Sequence, residues 1–182
     1  WVSEQEPKTG FDIRLPEATS TATITATIDR VYGQDVTINL ITGGTTSLND
    51  DYTLSSTDIT ISAGATTGTA SFTPTDDTTY EGNETGIVAI DTVSGGSANE
   101  SGTPQVVTIT ITENESAPTV TLTTSASSIA ENAGSSLTLT ATLSVATTAD
   151  VTVGISTSGT GTEGTDYSTI SDITILAGQT TG

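Results

Sequence analysis

The chain is patterned by a regular alternation of apolar residues with Thr. Between positions 22 and 28, Ala and Ile occupy every second position, and apolar residues at this period indicate a half-buried β-strand. No segment of useful length has the period of a helix. Runs of this kind predict an all-β protein with about seven strands in its first part, at residues 12–15, 22–28, 36–40, 59–61, 69–73, 86–93 and 105–112.

Turn-forming residues separate the predicted strands. Gly, Asn and Asp adopt the backbone conformations that tight turns need, and they stand between the apolar runs rather than inside them. The predicted turn positions are Gly33, Gly43, Gly44, Asn49, Asp50, Gly64, Gly95, Gly96 and Gly134.

The sequence repeats itself at an offset of 115 residues, with a one-residue slip in some segments. A period of this length suits a self-contained sandwich domain rather than a solenoid unit. We expect a complete sandwich at residues 1–115 and the N-terminal part of a second at residues 116–182, with the first four strands. The matching segments are 22–28 with 137–143, 36–40 with 151–155, Asp51 and Tyr52 with Asp166 and Tyr167, and 59–64 with 173–178.

The remaining strands of the second copy have two expected sources. They either continue in the same, longer chain or are donated by another subunit, which would make the protein a self-assembling fibre. Half a sandwich on its own would expose apolar faces and unpaired strand edges.

Composition and charge narrow the function classes. Hydrophobic residues make up only 32% of the chain, which on its own would indicate disorder. Because 44 Thr residues alternate with them, we instead predict β-strands around a small hydrophobic core. The net charge is 3 − 22 = −19, which argues against nucleic acid as a partner. Cys and His are absent, which excludes disulfides, thiolate zinc sites and imidazole catalysis. No apolar run approaches the roughly 18 residues of a membrane helix, so direct membrane insertion is not expected.

Four acids follow one predicted strand at a D-D-x3-E-x2-E spacing: Asp76, Asp77, Glu81 and Glu84. Two carboxylates about 4 Å apart repel by about 4 kcal/mol at an effective dielectric near 20, and a bound cation would relieve this repulsion. Oxygen ligands without imidazole or thiolate favour Ca²⁺ or Mg²⁺, and a flexible loop with many ligands favours Ca²⁺.

Several motifs in order resemble the Calx-beta domain, an immunoglobulin-like sandwich that occurs in sodium-calcium exchangers and as tandem repeats in large bacterial surface proteins and adhesins. The resemblance rests on a Glu after the first strand (Glu17, Glu131), the two D-Y pairs, I-x-I-x-x-G at 59–64, the D-D-x3-E-x2-E loop, and I-T-I-T-E-N-E at 109–115. It implies a Ca²⁺ site formed by Glu17, Asp51, Asp76, Asp77, Glu81 and Glu84, with Glu113 or Glu115, and an incomplete set, Glu131 and Asp166, in the second copy. The chain departs from the family where Glu113, Asn114 and Glu115 replace consecutive aspartates.

Each candidate also has a purely structural interpretation. The acidic loop is then a solvated turn, Asp51 and Asp166 cap turns while their Tyr neighbours pack on a core, and Glu17 and Glu131 are ordinary exposed residues.

The resemblance, the tandem copies and the acidity favour a calcium-stabilised spacer or stalk module of an extracellular protein on a bacterial cell surface, an adhesin or a surface fibre. Its expected partners are neighbouring repeats of the same protein or other copies in a fibre. The two copies are expected to join near residues 116–118, and Glu113 and Glu115 immediately precede this linker. Calcium bound there is therefore expected to stiffen the array. An adhesive module, a calcium sensor and a glycosidase with paired carboxylates are the alternatives. The few scattered aromatic residues, 4% of the chain, argue against an enzyme.

Overall fold

The computed structural model describes residues 12–17, 20–103, 105–131, 134 and 136–182. Within these residues there are twelve β-strands and no helix. The strands are β1 (Asp12–Pro16), β2 (Ala22–Thr27), β3 (Val36–Gly44), β4 (Tyr52–Leu54), β5 (Asp58–Ile61), β6 (Thr67–Pro74), β7 (Glu84–Ser94), β8 (Val106–Thr112), β9 (Val120–Thr124), β10 (Leu139–Leu143), β11 (Val151–Val153) and β12 (Ile173–Ile175). The predicted all-β class is confirmed.

The chain divides into two compact units, of which the first comprises Trp1–Asp77 and Gly82–Asn114. Its described strands form a five-stranded sheet in the order β1-β8-β7-β3-β5 and a three-stranded sheet in the order β2-β6-β4. All neighbours are antiparallel except β1 and β8, which run parallel. Two facing sheets of this kind form an immunoglobulin-like β-sandwich.

The core of the first unit lies between the two sheets and follows from the alternation in the sequence. In β2 the exposed Thr side chains alternate with Ala22 and Ile24, which are at most 7% exposed. The largest core side chains, Tyr52 and Phe72, stack with ring centroids 4.2 Å apart. The fully enclosed members of the core are Val36, Tyr52, Ile59, Ile61, Phe72, Val88, Ile109 and Ile111.

Two strand predictions need correction. Residues 52–54 form the additional short strand β4, paired with the end of β6. Gly43 and Gly44 do not form a turn, because β3 continues through both and pairs with Ile87 and Gly86 of β7. Close backbone approach explains the glycines: a Cβ at Gly44 would collide with the carbonyl of Thr85, and a strand glycine often marks such an approach.

The second unit comprises Thr78–Glu81 and Glu115–Gly182. β9 pairs with β10 and β11 pairs with β12, both antiparallel. Its smaller buried core consists of Ala141, Leu143 and Ile175. Residues 180–182 add hydrogen bonds to β10, where the amides of Ala141 and Leu143 donate to the carbonyls of Gly182 and Thr180.

Candidate metal centre

Four acidic residues of the first unit lie at one end of the sandwich because of its strand directions. β1 and β8 are parallel and both end there, so Glu17 and Glu113 follow the last residues of paired strands. β7 is antiparallel to β8, which places its first residue, Glu84, at the same end, opposite Ile111. Asp51 immediately precedes β4, whose first residue pairs with the last residue of β6.

The carboxylates form two groups of three. Glu17, Glu113 and Glu115 offer oxygen atoms that lie within 4.8 Å of one another. Asp51, Glu81 and Glu84 form the second group with the same limit. Glu17 is only 5% exposed, and the other five residues are half-buried. We call these groups the Glu17 cluster and the Asp51 cluster.

The clusters combine charge repulsion with burial. Like charges 4.8 Å apart repel by about 3.5 kcal/mol at an effective dielectric near 20, and removing a carboxylate from water adds a desolvation cost. The Oε2 atoms of Glu17, Glu84 and Glu115 are shielded from solvent. Carboxylate oxygens grouped in this way fit a hard cation such as Ca²⁺, which takes six to eight oxygen ligands.

Main-chain and side-chain hydrogen bonds fix Glu113. Its Oε2 accepts from the amide of Gly82 at 2.6 Å, and its Oε1 accepts from the amide of Asn114 at 3.1 Å. The backbone amide of Glu113 donates to Oδ1 of Asn83 at 3.0 Å. The sequence pattern does not identify Asn83 and Gly82 as positioning residues, although both lie inside the D-D-x3-E-x2-E loop.

Asp76 and Asp77 belong to neither cluster, although the sequence places them in the same expected ligand set. Both are exposed. Oδ1 of Asp76 accepts a hydrogen bond from Nδ2 of Asn114 at 2.8 Å. Asn114, which stands where the family has an aspartate, therefore ties the acidic loop to the residues after β8.

Asp51 is both a turn residue and a member of a cluster. Its Oδ2 accepts from the amide of Ser47 at 2.5 Å, while Tyr52 is buried in the core at 1% exposure. The second unit repeats the turn, since Oδ2 of Asp166 accepts from the amide of Thr162 at 2.7 Å. The predicted pair Glu131 and Asp166 is exposed, and neither residue joins a carboxylate group within the part of the chain that the structure describes.

Comparison with known protein families shows which family the chain belongs to. The sequence profile described as "Calx-beta domain" matches the chain twice, at residues 10–115 and 113–176. The chain belongs to the Calx-beta domain family. Two successive Calx-beta matches agree with the internal repeat found in the sequence. No curated protein sequence matches the chain significantly.

Solved structures similar to this Calx-beta protein include two described as CBD12, one of them as a calcium binding domain. The calcium binding domain CBD12 of CALX1.1 is 16% identical, with a TM-score of 0.47, over 56% of this chain and 41% of that one. CBD12 from CALX1.2 is 14% identical, with a TM-score of 0.48, over 93% of this chain and 70% of that one. A further match, SSP-19 of Caenorhabditis elegans, an MSP-domain protein like family member, is 13% identical, with a TM-score of 0.33, over 56% of this chain and 92% of that one.

The described part of the chain contains no helix that is long and apolar enough to cross a membrane.

Proposed function

We propose that this chain is a calcium-binding structural module, in which Ca²⁺ stabilises the first Calx-beta repeat at the end of the sandwich where the two clusters lie. The observation that carries the proposal is the grouping of six carboxylates into two sets whose oxygens lie within 4.8 Å of one another. An apo protein must bear the mutual repulsion of these charges, and a divalent cation converts it into attraction.

The proposed ligands follow the clusters. Glu17, Glu113 and Glu115 would hold one ion, and Asp51, Glu81 and Glu84 would hold another, with water or main-chain oxygens completing the shells. Asp76 and Asp77 lie beside the clusters in sequence and would contribute through their charge or through a rearranged loop. The hydrogen bonds from Gly82 and Asn114 to Glu113 support the proposal because they orient a carboxylate before the ion arrives.

Calorimetric titration of the chain with Ca²⁺, joined to thermal unfolding, tests the proposal. Extracellular modules typically bind Ca²⁺ with dissociation constants of about 10⁻⁴ to 10⁻³ M, and one ion at ten times its dissociation constant adds about 1.4 kcal/mol to the free energy of unfolding. Glu84→Gln is expected to reduce both the binding heat and this added stability.

Asp91→Asn provides the control for Glu84→Gln. Asp91 lies on the same strand, β7, is exposed, and belongs to neither cluster. The Asp91→Asn substitution removes one negative charge without changing a proposed ligand. A chain that gives no heat with Ca²⁺, or one in which the Glu84 and Asp91 variants respond alike, would refute the proposal.

The module's place in a larger protein is part of the same proposal. Tandem Calx-beta repeats and a net charge of −19 support a spacer or stalk of an extracellular protein, such as an adhesin or a surface fibre on a bacterial cell, whose partners are neighbouring repeats. Calcium bound by Glu113 and Glu115 would restrain the segment that follows β8. Small-angle scattering with and without a chelator tests this role, since an unchanged maximum dimension would contradict it.

A further inference from the structure

Two asparagines fasten the acidic loop of the first repeat, residues 75–83, to the residues that follow β8. Nδ2 of Asn114 donates a hydrogen bond to Oδ1 of Asp76 at 2.8 Å. Oδ1 of Asn83 accepts a hydrogen bond from the backbone amide of Glu113 at 3.0 Å. The loop and the segment after β8 therefore each supply one asparagine that holds the other.

The chemistry of each partner fixes which end of the asparagine side chain is used. A carboxylate accepts hydrogen bonds and does not donate them, so Asn114 must present its NH2 group to Asp76. A backbone amide only donates, so Asn83 must present its oxygen to Glu113. An ionised aspartate at position 83 would keep the acceptor, whereas an ionised aspartate at position 114 would have no donor to offer.

The neutral side chain of Asn114 also limits the charge of this region. Asn114 stands between Glu113 and Glu115 in the sequence, and both of these belong to the Glu17 cluster. A carboxylate at position 114 would replace the hydrogen bond to Asp76 by a contact between two like charges, which repel even in bulk water. The amide therefore suits this position through its donor and through its lack of charge.

Two main-chain hydrogen bonds anchor the same loop near its two ends. The amide of Thr75 donates to the carbonyl of Asp51 at 2.8 Å, and the amide of Gly82 donates to Oε2 of Glu113 at 2.6 Å. Gly82 has a φ of 79°, a left-handed conformation that glycine adopts without a steric penalty. All donors and acceptors in this network are protein groups, so none of these bonds requires an ion.

We propose that Asn114 is a positioning residue for the calcium site. Its hydrogen bond to Asp76 holds the acidic loop against the end of β8 in the absence of calcium, so that the loop and Glu113 are already in place when the ion binds. This inference rests on the calcium-binding function proposed above for the use of the fixed loop. The hydrogen bond itself is tested without calcium.

Two Asn→Asp variants of the full chain form a matched pair. Each adds one negative charge to the same end of the sandwich, but Asn83→Asp keeps an acceptor, whereas Asn114→Asp loses the donor to Asp76. Hydrogen exchange at the amides of Thr75 and Gly82 is followed by NMR in chelator. Asn114→Asp is expected to raise both exchange rates about three- to tenfold relative to Asn83→Asp, the range that corresponds to one net hydrogen bond.

A swap of the two partners restores the bond with its polarity reversed. Asp76→Asn combined with Asn114→Asp keeps the net charge of −19 and again places an amide donor opposite a carboxylate. The swapped chain is expected to return both exchange rates to within about twofold of the wild type, because the two positions act as a pair. Equal exchange rates in the two Asn→Asp variants, or no recovery in the swapped chain, would overturn the proposal.

Calorimetric titration with Ca²⁺ separates this inference from the proposed function. Asn114→Ala removes the bond without adding a charge and is expected to weaken calcium binding about three- to tenfold, because the loop must then be ordered on binding. The swapped chain is expected to bind like the wild type. A wild-type chain that gives no heat with Ca²⁺ would refute the proposed function and with it the role of Asn114. A wild-type chain that binds Ca²⁺ no more tightly than Asn114→Ala would overturn this inference alone.

Discussion

Asp51→Asn separates the charge of a carboxylate from its role in a turn. The asparagine Oδ1 can still accept the hydrogen bond that the amide of Ser47 gives to Asp51. Only the negative charge near Glu81 and Glu84 is lost. Asp166→Asn is the matched control, because Asp166 caps the same turn in the second repeat through Thr162 but lies in no carboxylate group of the described residues.

The size of the stability change expected for Asp51→Asn follows from the distance between the carboxylates. At 4.8 Å, one like-charged pair costs about 0.9 kcal/mol in bulk water and about 3.5 kcal/mol at an effective dielectric near 20. Asp51 is half-buried and faces two carboxylates, so relief of both repulsions is expected to be worth about 2 kcal/mol. Without calcium, Asp51→Asn should therefore raise the melting temperature of the first repeat, by about 4 to 8 °C for each kcal/mol.

Calcium is expected to reverse this difference in melting temperature between Asp51→Asn and the wild type. The wild-type first repeat gains about 1.4 kcal/mol per ion at ten times the dissociation constant, whereas Asp51→Asn has lost a ligand and gains less. Calorimetric unfolding in chelator and in excess Ca²⁺ measures both increments for Asp51→Asn and Asp166→Asn. If Asp51→Asn lowers stability in chelator, or if the two variants respond equally to Ca²⁺, the electrostatic account of the Asp51 cluster is wrong.

Three further substitutions test the fold. Phe72→Ala removes a fully buried ring stacked on Tyr52 and should cost about 3–5 kcal/mol of unfolding free energy in urea titrations. Gly86→Ala places a Cβ 2.9 Å from the Phe72 ring, so urea unfolding should show a loss of about 1–3 kcal/mol. Arg30→Ala should leave the melting temperature unchanged. The hydrogen bond from Arg30 lowers the pKa of Asp29. A carboxyl group whose pKa is lower in the folded than in the unfolded protein stabilises the fold at pH values above the unfolded pKa, and this contribution is lost as the pH falls through the folded pKa. Because the pair is 72% and 70% exposed, solvent screens the effect, and a shift of several degrees at neutral pH would contradict this.

Alternation predicts those strands in which every second side chain enters the core. β2, β5 and β6 are predictable because more exposed polar residues, mostly Thr, alternate in them with buried apolar residues. β4 has only three residues, too few to show a period, and its stability comes from the stacking of Tyr52 on Phe72. The sequence predicts a turn at Gly44, because sequence alone does not distinguish a glycine needed for a bend from one needed for close backbone approach.

The candidate site was predictable as a set of residue types but not as a geometry. The spacing of the acids predicts that Asp76 and Glu84 share a site, because they lie in one loop. In the structure, Glu84 begins β7 and groups with Asp51, whereas Asp76 is exposed and bonded to Asn114. The pairing of β7 with β8 and of β4 with β6 determines this division, and neither pairing is encoded in the spacing of the acids.

The parallel pair of β1 and β8 determines how the first repeat responds to tension. A pull on the chain before Asp12 and after Thr112 acts at opposite ends of this ladder, in opposite directions along the strands. The load is then a shear that falls on all five residue pairs at once, from Asp12 with Thr108 to Pro16 with Thr112. An antiparallel terminal pair would instead unzip one bond at a time. A stretched chain therefore loads this short ladder before it loads the core, and the ladder sets the force at which the first repeat yields.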